Sequence, residues 1–213
     1  VSRGDQGAVG TQGMTTGKAR ARLVETACGR FAHLGTKGIG VDRIVAEAGV
    51  AKMTLYRHFQ SKDDLVLAFL KRREEVWTHG WLEAEVMARA RHPRERLLAI
   101  FDVFHDWFQR QDFEGCSFIN VLLEEPTSGH PVREATVIHL ANIRDLLRGL
   151  TEAAGVLDVD DFTRKWHILM KGSIVAAGEG DKLAARRAQE IGRLLLTAVA
   201  LADHQKSSGM PST

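Results

Sequence analysis

Apolar residues recur at helical spacing along most of the chain, and no run alternates with period two for long enough to predict a strand. The clearest pattern lies in residues 41–59. Ile44, Val45 and Ala48 form one apolar stripe, and Gly49 supplies the residue type that ends helices. After this glycine, Leu55 and Phe59 share one face of a second helix, one turn apart. The pattern predicts two short helices joined by a glycine turn.

The outward face of the second short helix is polar. It comprises Lys52, Met53, Thr54, Tyr56 and His58. A compact helix pair with a polar second helix is typical of proteins that insert a helix into the DNA major groove. These residues therefore predict a DNA-reading element.

The remaining periodic segments predict an all-α protein of about nine helices, with a head followed by a body. Ser61 precedes two aspartates and caps a long helix, and Pro93 opens the next. The other predicted helices cover about 18–34, 116–125, 132–154, 160–178 and 182–204. Gly80 is expected to weaken the long helix locally.

These elements predict four regions along the chain. Residues 1–17 are rich in glycine and poor in apolar side chains, so we expect a disordered N-terminal tail. We expect residues 18–64 to form the helix-turn-helix DNA-binding domain and residues 65–206 to form a helical body; the resemblance described below implies that this body is the ligand-binding and dimerisation domain. Residues 207–213 are expected to be a second disordered tail.

Charge separates the head from the body. Residues 18–62 hold nine lysines and arginines against three carboxylates, whereas residues 63–213 hold nineteen against twenty-three. A basic head suits phosphate binding, although solvated helix faces would give the same count. No stretch predicts a membrane span or a secretory signal, and the two cysteines suggest no disulfide framework, so a cytoplasmic location is expected.

Residues 19–65 contain five motifs in order: Phe31-Ala-His-Leu-Gly35, Asp42-x-Ile44, Ala48-Gly49-Val50, Thr54-Leu55-Tyr56-x-His58-Phe59 and Ser61-Lys62-x-x-Leu65. With these motifs, the segment closely resembles the DNA-binding domain of the TetR family of bacterial transcriptional regulators. In the body, Gly115-Cys116-Ser117-Phe118-Ile119-Asn120 is similar to the Gly-Cys-Pro-Phe-x-Asn segment of one branch, with serine in place of proline. Lys171 stands where that branch more commonly has an acidic residue.

The candidate DNA contacts are basic and hydroxyl-bearing side chains of the head. On the second short helix they are Lys52, Met53, Thr54, Tyr56 and His58; the resemblance implies that Met53 faces bases and that the tyrosine and histidine act at the backbone. Thr36 and Lys62 are candidate phosphate contacts beside helix ends. Lys18, Arg20 and Arg22 are candidates for an arm that follows the backbone or enters the minor groove, with a solvated tether as the alternative.

The body is rich in aromatic and titratable side chains that could line a cavity for a hydrophobic or aromatic ligand. The candidates are Trp77, Trp81, Phe101, Phe104, His105, Trp107, Phe108, Phe118, His139, Trp166, His167 and Met170. Each of them could instead fill the core, and the expectation of a cavity rests mainly on the resemblance.

Metal and nucleophile chemistry have weaker signals. Asp102 with His105, and Glu75 with His79, have helical ligand spacing, but each is a single pair, so we expect no metal site, no catalytic residue and no cofactor. Cys116 follows a glycine near a helix start and is either a redox or electrophile sensor or a small core residue.

The resemblance implies a ligand-responsive regulator, expected to be a repressor that binds a palindromic double-stranded DNA operator as a homodimer and is released by a small molecule. The last two helices supply the candidate interface: Ile168, Gly172, Ile174, Val175, Leu183, Ile191, Leu194, Leu195, Ala198 and Leu201. The alternatives are an all-α small-molecule-binding protein or enzyme with an incidental basic head, and an activator or ligand-blind DNA binder.

Overall fold

The computed structural model describes the backbone of residues 9–208 and the side chains of residues 17–199. Within that range the protein is all-helical, which confirms the predicted fold class. Nine helices follow one another: α1 (Val9–Leu34), α2 (Val41–Ala48), α3 (Lys52–His58), α4 (Lys62–Arg73, continued by Glu74–Glu83 and Ala84–Arg89), α5 (Pro93–Gln109), α6 (Ser117–Glu124), α7 (Pro131–Ala153), α8 (Val159–Gly178) and α9 (Ala184–Ser208).

Two termini differ from the expected tails. Helix α1 begins at Val9 rather than near residue 18, and α9 continues to Ser208. Each glycine costs a helix only about 1 kcal/mol, so glycine content does not by itself end a helix. Residues 1–8 and 209–213, which the predicted tails also included, lie outside the described residues.

Helix α4 changes its winding in the middle. Residues Glu74–Glu83 form a π-helix of ten residues between two α-helical segments. A π-turn brings each N–H to the carbonyl five residues earlier, and a Cβ added at Gly80 would lie 3.0 Å from the Glu75 carbonyl oxygen. Gly80, which was expected to weaken this helix, therefore allows the Glu75 carbonyl to come close to position 80 in the π-helical turn.

The chain divides into two compact units. One, which we call the head, contains the chain through Arg73 together with Asn120–Thr136; the other, the body, contains Glu74–Ile119 and the chain from Val137 onward. The segment 120–136 thus belongs with the head, whereas the sequence placed it in the body. Contacts between residues far apart in the chain explain this grouping: the Lys37 ammonium lies 3.4 Å from Glu125, and His130 lies 3.4 Å from Asp63.

The head packs its helices around α1. Leu23, Ala27 and Phe31 of α1 are buried, and the rings of Phe31 and Phe69 meet edge to face with 5.5 Å between their centroids. Ser61 accepts a hydrogen bond from the Asp64 N–H at 3.1 Å and donates its own N–H to Asp64 at 3.0 Å, which caps the start of α4 as predicted.

The body is built around α5, α8 and α9, and α9 packs against both of the other two. Trp166 of α8 is fully buried; its ring stacks on Phe162 at 5.3 Å between centroids and meets Phe101 at a tilt, at 5.4 Å. A Cβ at Gly192 of α9 would lie 2.8 Å from the Trp166 ring. The glycine therefore lets α9 approach the aromatic core closely.

Candidate DNA-reading helix and ligand cavity

Helices α2 and α3 form the predicted helix pair. Gly49 has a φ of +61°, in the left-handed region, and the N–H groups of Gly49 and Val50 donate to the carbonyls of Ala46 and Val45 at 3.2 and 3.3 Å. Ile44 and Leu55 are completely buried. The buried faces hold the second helix at a fixed angle and leave its other face to solvent.

The exposed face of α3 carries side chains that suit a groove. Met53 is 69% exposed and Tyr56 is 44% exposed, and Lys52 and Arg57 are also exposed. Thr54 and His58 are half-buried, and the Nε2 atom of His58 is buried, so its ring is less available to a phosphate than the sequence indicated. We define the reading surface as Lys52, Met53, Tyr56 and Arg57.

Arg57 is a residue that the sequence analysis did not select. It lies one helical turn after Met53, so the two side chains share a face. That spacing is visible in the sequence. A guanidinium also binds phosphate and guanine edges well, which makes Arg57 a stronger candidate than the half-buried His58.

Several predicted cations of the head already have protein partners. The Lys52 ammonium lies 2.6 Å from the Asp42 carboxylate, and this hydrogen bond raises the pKa of Lys52. Arg22 donates to the Ala48 carbonyl and lies 3.4 Å from the Gly49 carbonyl, so it caps the end of α2. The Arg20 guanidinium sits 5.2 Å from the centre of the Phe59 ring.

These partners change the interpretation of the predicted arm. Arg22 holds the α2 end and Arg20 covers a core aromatic ring, so both stabilise the helix pair rather than form a free tether. Lys18 is exposed and Lys62 is half-buried at the first residue of α4; both remain candidates for backbone contact.

Thr36 has a structural partner in place of the phosphate that the sequence suggested. It is 7% exposed, and its N–H and its hydroxyl both donate to Glu124 Oε2, at 2.7 and 2.5 Å. Gly35 has a φ of +73°, and a Cβ there would collide with the same carboxylate. Because both donors of Thr36 are committed to Glu124, we remove it from the candidate DNA contacts.

Most of the predicted aromatic ligand residues pack on one another. Trp77, Trp81 and Trp107 lie with centroids 5.4 to 5.7 Å apart, and Trp107 meets Phe113 at 4.9 Å. Phe118 stacks on His139 at 5.3 Å. The rings and His residues that line neither cavity described below are Trp81, Phe101, Phe104, His105, Trp107, Phe108, Phe118, His139 and Trp166. Residues that fill a core and residues that line a cavity have the same helical spacing, so the sequence alone could not distinguish them.

An aliphatic space lies beside this aromatic core. We call it the outer cleft; its volume is about 310 Å³, within the range of small-ligand sites. Its apolar lining residues are Leu82, Val86, Met87, Ile100, Ile143, Leu146, Leu147, Leu150, Ala153 and Met170, together with Gly149. Glu83, Arg96 and Asp145 supply the charged groups, and no aromatic ring is among the described residues that line the cleft.

A second, smaller space adjoins the cleft. This inner cavity holds about 10 Å³ of free volume, room for roughly one water molecule. Ile143 and Met170 line both spaces, so these side chains stand between them. The other lining residues are Trp77, Cys116, Ile119, Leu140, His167, Lys171 and Ile174.

Two residues that line the inner cavity have buried polar atoms without protein partners. Trp77 is 9% exposed and His167 is 3% exposed, and within the described residues neither Trp77 Nε1 nor His167 Nδ1 has a hydrogen-bond partner. Burial, with the positive charges of Lys171 and Arg144 nearby, lowers the pKa of His167 to about 3, so its ring is neutral near pH 7. A buried polar atom without a partner is costly, so these two nitrogens lower the stability of the body.

Cys116 is buried in the wall of the inner cavity. This location is compatible with both of the roles considered for it. Cys28 lies in the head, where burial and then the Glu25 charge raise the pKa of its thiol to about 12. The Cys28 thiol is therefore protonated and weakly nucleophilic.

The candidate interface residues divide into two groups. Ile168 and Val175 of α8, and Leu183, Ile191 and Leu194 near and on α9, are between 47% and 70% exposed. Gly172 and Ala198 are exposed and Leu195 is half-buried. Ile174 is 5% exposed and lines the inner cavity, so it faces the body interior and leaves the candidate interface. The side chain of Leu201 lies outside the described residues.

The paired carboxylate and imidazole groups have other contacts. Asp102 accepts a hydrogen bond from Arg186, and His79 Nδ1 lies 3.1 Å from Glu83. Among the described side chains, no three or more His, Cys, Asp or Glu residues group as metal ligands. None of the helices in the described range has the length and hydrophobicity that a membrane span requires.

The basic reading helix, its glycine turn and the separate helical body define a helix-turn-helix DNA-binding regulator. The family model for bacterial regulatory proteins of the tetR family matches residues 23–69. A TetR-family regulator from Streptomyces coelicolor, SCO4454, is 32% identical with a TM-score of 0.76, over 86% of this chain and 96% of that one. A tetR-type regulator from Streptomyces avermitilis, sav143, is 30% identical with a TM-score of 0.75, over 85% and 98%. This chain belongs to the TetR family of bacterial transcriptional regulators.

Curated relatives match over shorter stretches. The transcriptional activator FasR of Mycolicibacterium smegmatis is 32% identical over 130 residues, which are 60% of this chain and 58% of FasR. A regulator from Staphylococcus aureus, SAUSA300_2515, is 38% identical over 61 residues, or 28% of this chain and 33% of that protein. The chain therefore covers less than two thirds of these relatives, and the similarity of the second is confined to a short segment.

Proposed function

We propose that this regulator is a repressor that binds a palindromic operator as a homodimer and releases it when a small, mostly hydrophobic molecule enters the body. The observation that supports DNA reading best is the reading surface on α3. Two buried residues of the same helix pair, Leu55 and Phe59, hold Lys52, Met53, Tyr56 and Arg57 toward solvent. A helix held from behind in this way can enter a major groove without reorganising.

A homodimer is supported by the exposed apolar face of the last two helices. On α9, Ile191, Leu194 and Ala198 are spaced by three and four residues and share one side. Ile168 and Val175 form a similar exposed side on α8. An apolar face of this kind suits burial against a second copy, and two-fold symmetry would match two operator half-sites.

Helix α6 supports a route by which the ligand changes DNA binding. Ile119, in its first turn, lines the inner cavity, and Glu124, at its end, accepts two hydrogen bonds from Thr36 of the head. Five residues of α-helix span only about 7.5 Å. A molecule that displaces the start of α6 would therefore disturb the Glu124 contact through one short rigid helix. If the molecule binds the disturbed conformation more tightly than the DNA-binding one, its binding lowers the affinity for DNA.

We also infer that the chain belongs to the branch with a Gly-Cys-Pro-Phe-x-Asn segment. Ser117, which replaces the proline, is the first residue of α6. Proline is favoured at the first position of a helix because its missing N–H has no intrahelical partner there. The branch motif and this chain thus agree on where the helix begins. The expected location of such a regulator is the cytoplasm.

The DNA-binding proposal is tested with DNA fragments from the region flanking the protein's own coding sequence. We expect binding to one palindromic fragment that weakens steeply as salt increases, because phosphate contacts release counterions. Arg57→Ala should weaken binding and reduce the logarithmic salt slope by about one, as the loss of one phosphate contact does. Lys165→Ala is the matched control, since that lysine pairs with Asp161 on the body and should leave binding unchanged.

Binding of equal strength to every fragment would overturn operator recognition. The sign of regulation needs a reporter placed behind the operator. Deletion of the regulator should raise transcription if it is a repressor, and a fall would instead place it with FasR, whose name describes an activator.

A further inference from the structure

The first turn of α3 presents apolar groups at the end of the helix where a recognition helix meets base pairs. We propose that Met53 contacts the 5-methyl group of a thymine in each half-site of the operator. A hydrophobic contact, rather than a hydrogen bond, then determines the preferred base at this position. The inference rests on the proposed operator binding and specifies a base that the operator must contain.

Met53 occupies a position on α3 that suits contact with a base. It is the second residue of the helix, and recognition helices contact base edges with their N-terminal residues. Its side chain is 69% exposed, whereas Leu55 is completely buried and holds the helix against the head. The Met53 side chain therefore gains little from packing within the head and is available to a partner.

The polar groups beside Met53 have other contacts. The Lys52 ammonium lies 2.6 Å from the Asp42 carboxylate, and Thr54 is half-buried. An exposed ion pair is weak, so Lys52 can exchange Asp42 for a phosphate, which carries no sequence information. Ala51, which immediately precedes the helix, is exposed. Apart from Lys52, the exposed side chains at positions 51 to 53 are thus apolar.

Thymine is the base whose major-groove edge best matches the thioether of methionine. In that groove thymine presents a methyl group beside one acceptor, whereas guanine, adenine and cytosine present hydrogen-bonding groups and no methyl group. A methionine sulfur is a weak acceptor and donates nothing, so it would leave most of those groups without a partner once water is displaced. The unbranched side chain of Met53 also adapts its shape readily to a neighbouring methyl group.

Arg57 supplies a complementary contact one turn further along α3. It is exposed and lies four residues after Met53, so both side chains can reach DNA from one face of the helix. A phosphate contact by its guanidinium would fix the position of the helix on the duplex without selecting a base. Loss of Arg57 should therefore weaken binding to all sequences, whereas changes at Met53 should alter the preferred base.

The proposal is tested first by selection of bound fragments from a randomised DNA pool with the whole chain. The wild-type protein should select a thymine at one fixed position in each half-site, and Met53→Leu, which keeps an apolar side chain, should select the same thymine. Met53→Gln introduces an amide that pairs with adenine, so the thymine should be replaced by adenine or lost. Position 53 is exposed, so both variants should fold as the wild type does.

The methyl group itself is tested on the selected fragment. Deoxyuridine, which lacks only the 5-methyl group, replaces each thymine in turn, and affinity is measured by fluorescence anisotropy. One such substitution per half-site should weaken wild-type binding by about fourfold, the ratio that corresponds to one buried methyl-sized group. The same substitution should leave binding by Met53→Gln unchanged. A cytosine at that position should weaken wild-type binding, and 5-methylcytosine should restore part of the loss.

Unchanged affinity of the wild type for every deoxyuridine fragment would overturn the proposal. Equal sensitivity of the wild type and Met53→Gln would also overturn it, because the methyl group would then act through the shape of the DNA or through another side chain. In both cases the protein still binds a preferred sequence, so the proposed operator binding survives. A pool that yields no common sequence would instead overturn both.

Discussion

The cations near the reading surface and two polar side chains beside the inner cavity differ in their environment. On the head, the cations near the reading surface are already engaged: Lys52 with Asp42, Arg22 with the end of α2, and Arg20 with the Phe59 ring. In the body, Trp77 and His167 present buried polar atoms that have no protein partner among the described residues. Arg20, Arg22 and Lys52 are exposed to water, whereas the polar atoms of Trp77 and His167 are buried.

The difference fits the partners that we propose for the two regions. A polyanion such as DNA brings a high local charge and can replace an exposed ion pair, which is itself worth little. The proposed small ligand would bring few polar atoms, and it would gain affinity from a buried polar group of the body only by giving that group a partner. We therefore expect variants of the head to change DNA affinity by altering which group the exposed cations pair with. We expect variants of the body to act by altering the burial of polar atoms.

The largest expected effect, on both stability and operator binding, comes from truncating a buried side chain that holds α3 in place. Leu55→Ala removes a completely buried side chain and should cost about 2–5 kcal/mol. Operator binding should be lost because α3 loses its support. All four tryptophans lie in the body, so tryptophan fluorescence reports the body alone, and hydrogen exchange at α3 amides reports the head.

Met53→Ala is the matched control on the same helix. Met53 is 69% exposed, so this change should leave stability within about 0.5 kcal/mol while it alters the preferred operator sequence. The loss of stability from Leu55→Ala can be obtained both from tryptophan fluorescence and from hydrogen exchange at α3. If the two values are equal, the two units unfold together and cannot be compared as separate regions.

The second prediction concerns the body and follows from the neutral state of His167. Its folded pKa, about 3, lies below the ordinary value of 6.5. Between these values the unfolded chain binds a proton that the folded protein does not, so the stability contributed by the neutral ring is present above pH 6.5 and is lost as the pH falls. The free energy of unfolding should decrease by about 2–3 kcal/mol between pH 7 and pH 4.5 from this residue.

Urea unfolding at the two pH values checks this slope. His167→Leu should flatten it, whereas His79→Gln, at an exposed ring beside Glu83, should leave it unchanged. An unaltered slope in His167→Leu would mean that the inner cavity admits enough water to charge the ring, and the contrast with the solvated head would weaken.

The helix pair could be predicted from the sequence because all of its determinants are local. The stripe of Ile44, Val45 and Ala48, the left-handed glycine and the one-turn spacing of Leu55 and Phe59 lie within a short stretch, and the structure places each as predicted. The helix order was predicted for the same reason, since the helical period and the capping residues are short-range signals.

The contacts that join distant segments could not be predicted. Thr36 and Glu124 are 88 positions apart, and nothing in either local pattern pairs them. Arg22 was counted as a DNA contact because it is basic, although its direction toward α2 depends on the packing of α1. In the body, a ring that fills the core and a ring that lines a cavity have the same helical spacing, so the aliphatic cleft beside the aromatic core had no sequence signature.

The third prediction tests the contact that supports the proposed coupling. Glu124→Gln replaces an anion that accepts two hydrogen bonds from Thr36, and should cost about 1–3 kcal/mol of stability in the head. Operator affinity should also fall, because Thr36 precedes α2. Glu134→Gln, nearby in the chain and exposed, is the control.

Head stability is measured by hydrogen exchange and operator affinity by fluorescence anisotropy. Thr36→Val removes the hydroxyl only and should give a smaller loss than Glu124→Gln. If Glu124→Gln binds the operator as tightly as Glu134→Gln, then α6 does not transmit through this carboxylate, and ligand and DNA are coupled elsewhere.

The smallest predicted effect tests whether the ion pair between Lys52 and Asp42 lowers the affinity of the reading surface for DNA. Asp42 is exposed at the start of α2 and lies 2.6 Å from the Lys52 ammonium. Asp42→Asn removes this partner and a negative charge near the operator, so affinity should rise by roughly twofold to fivefold, the modest scale of an exposed pair. Glu25→Gln is the control, because that carboxylate pairs with Arg72 instead of a reading residue. Titrations at low and high salt should show the gain shrinking as salt increases. A gain of equal size in Glu25→Gln would indicate a general effect of removing a negative charge. The specific pairing of Asp42 with Lys52 would then not limit operator affinity.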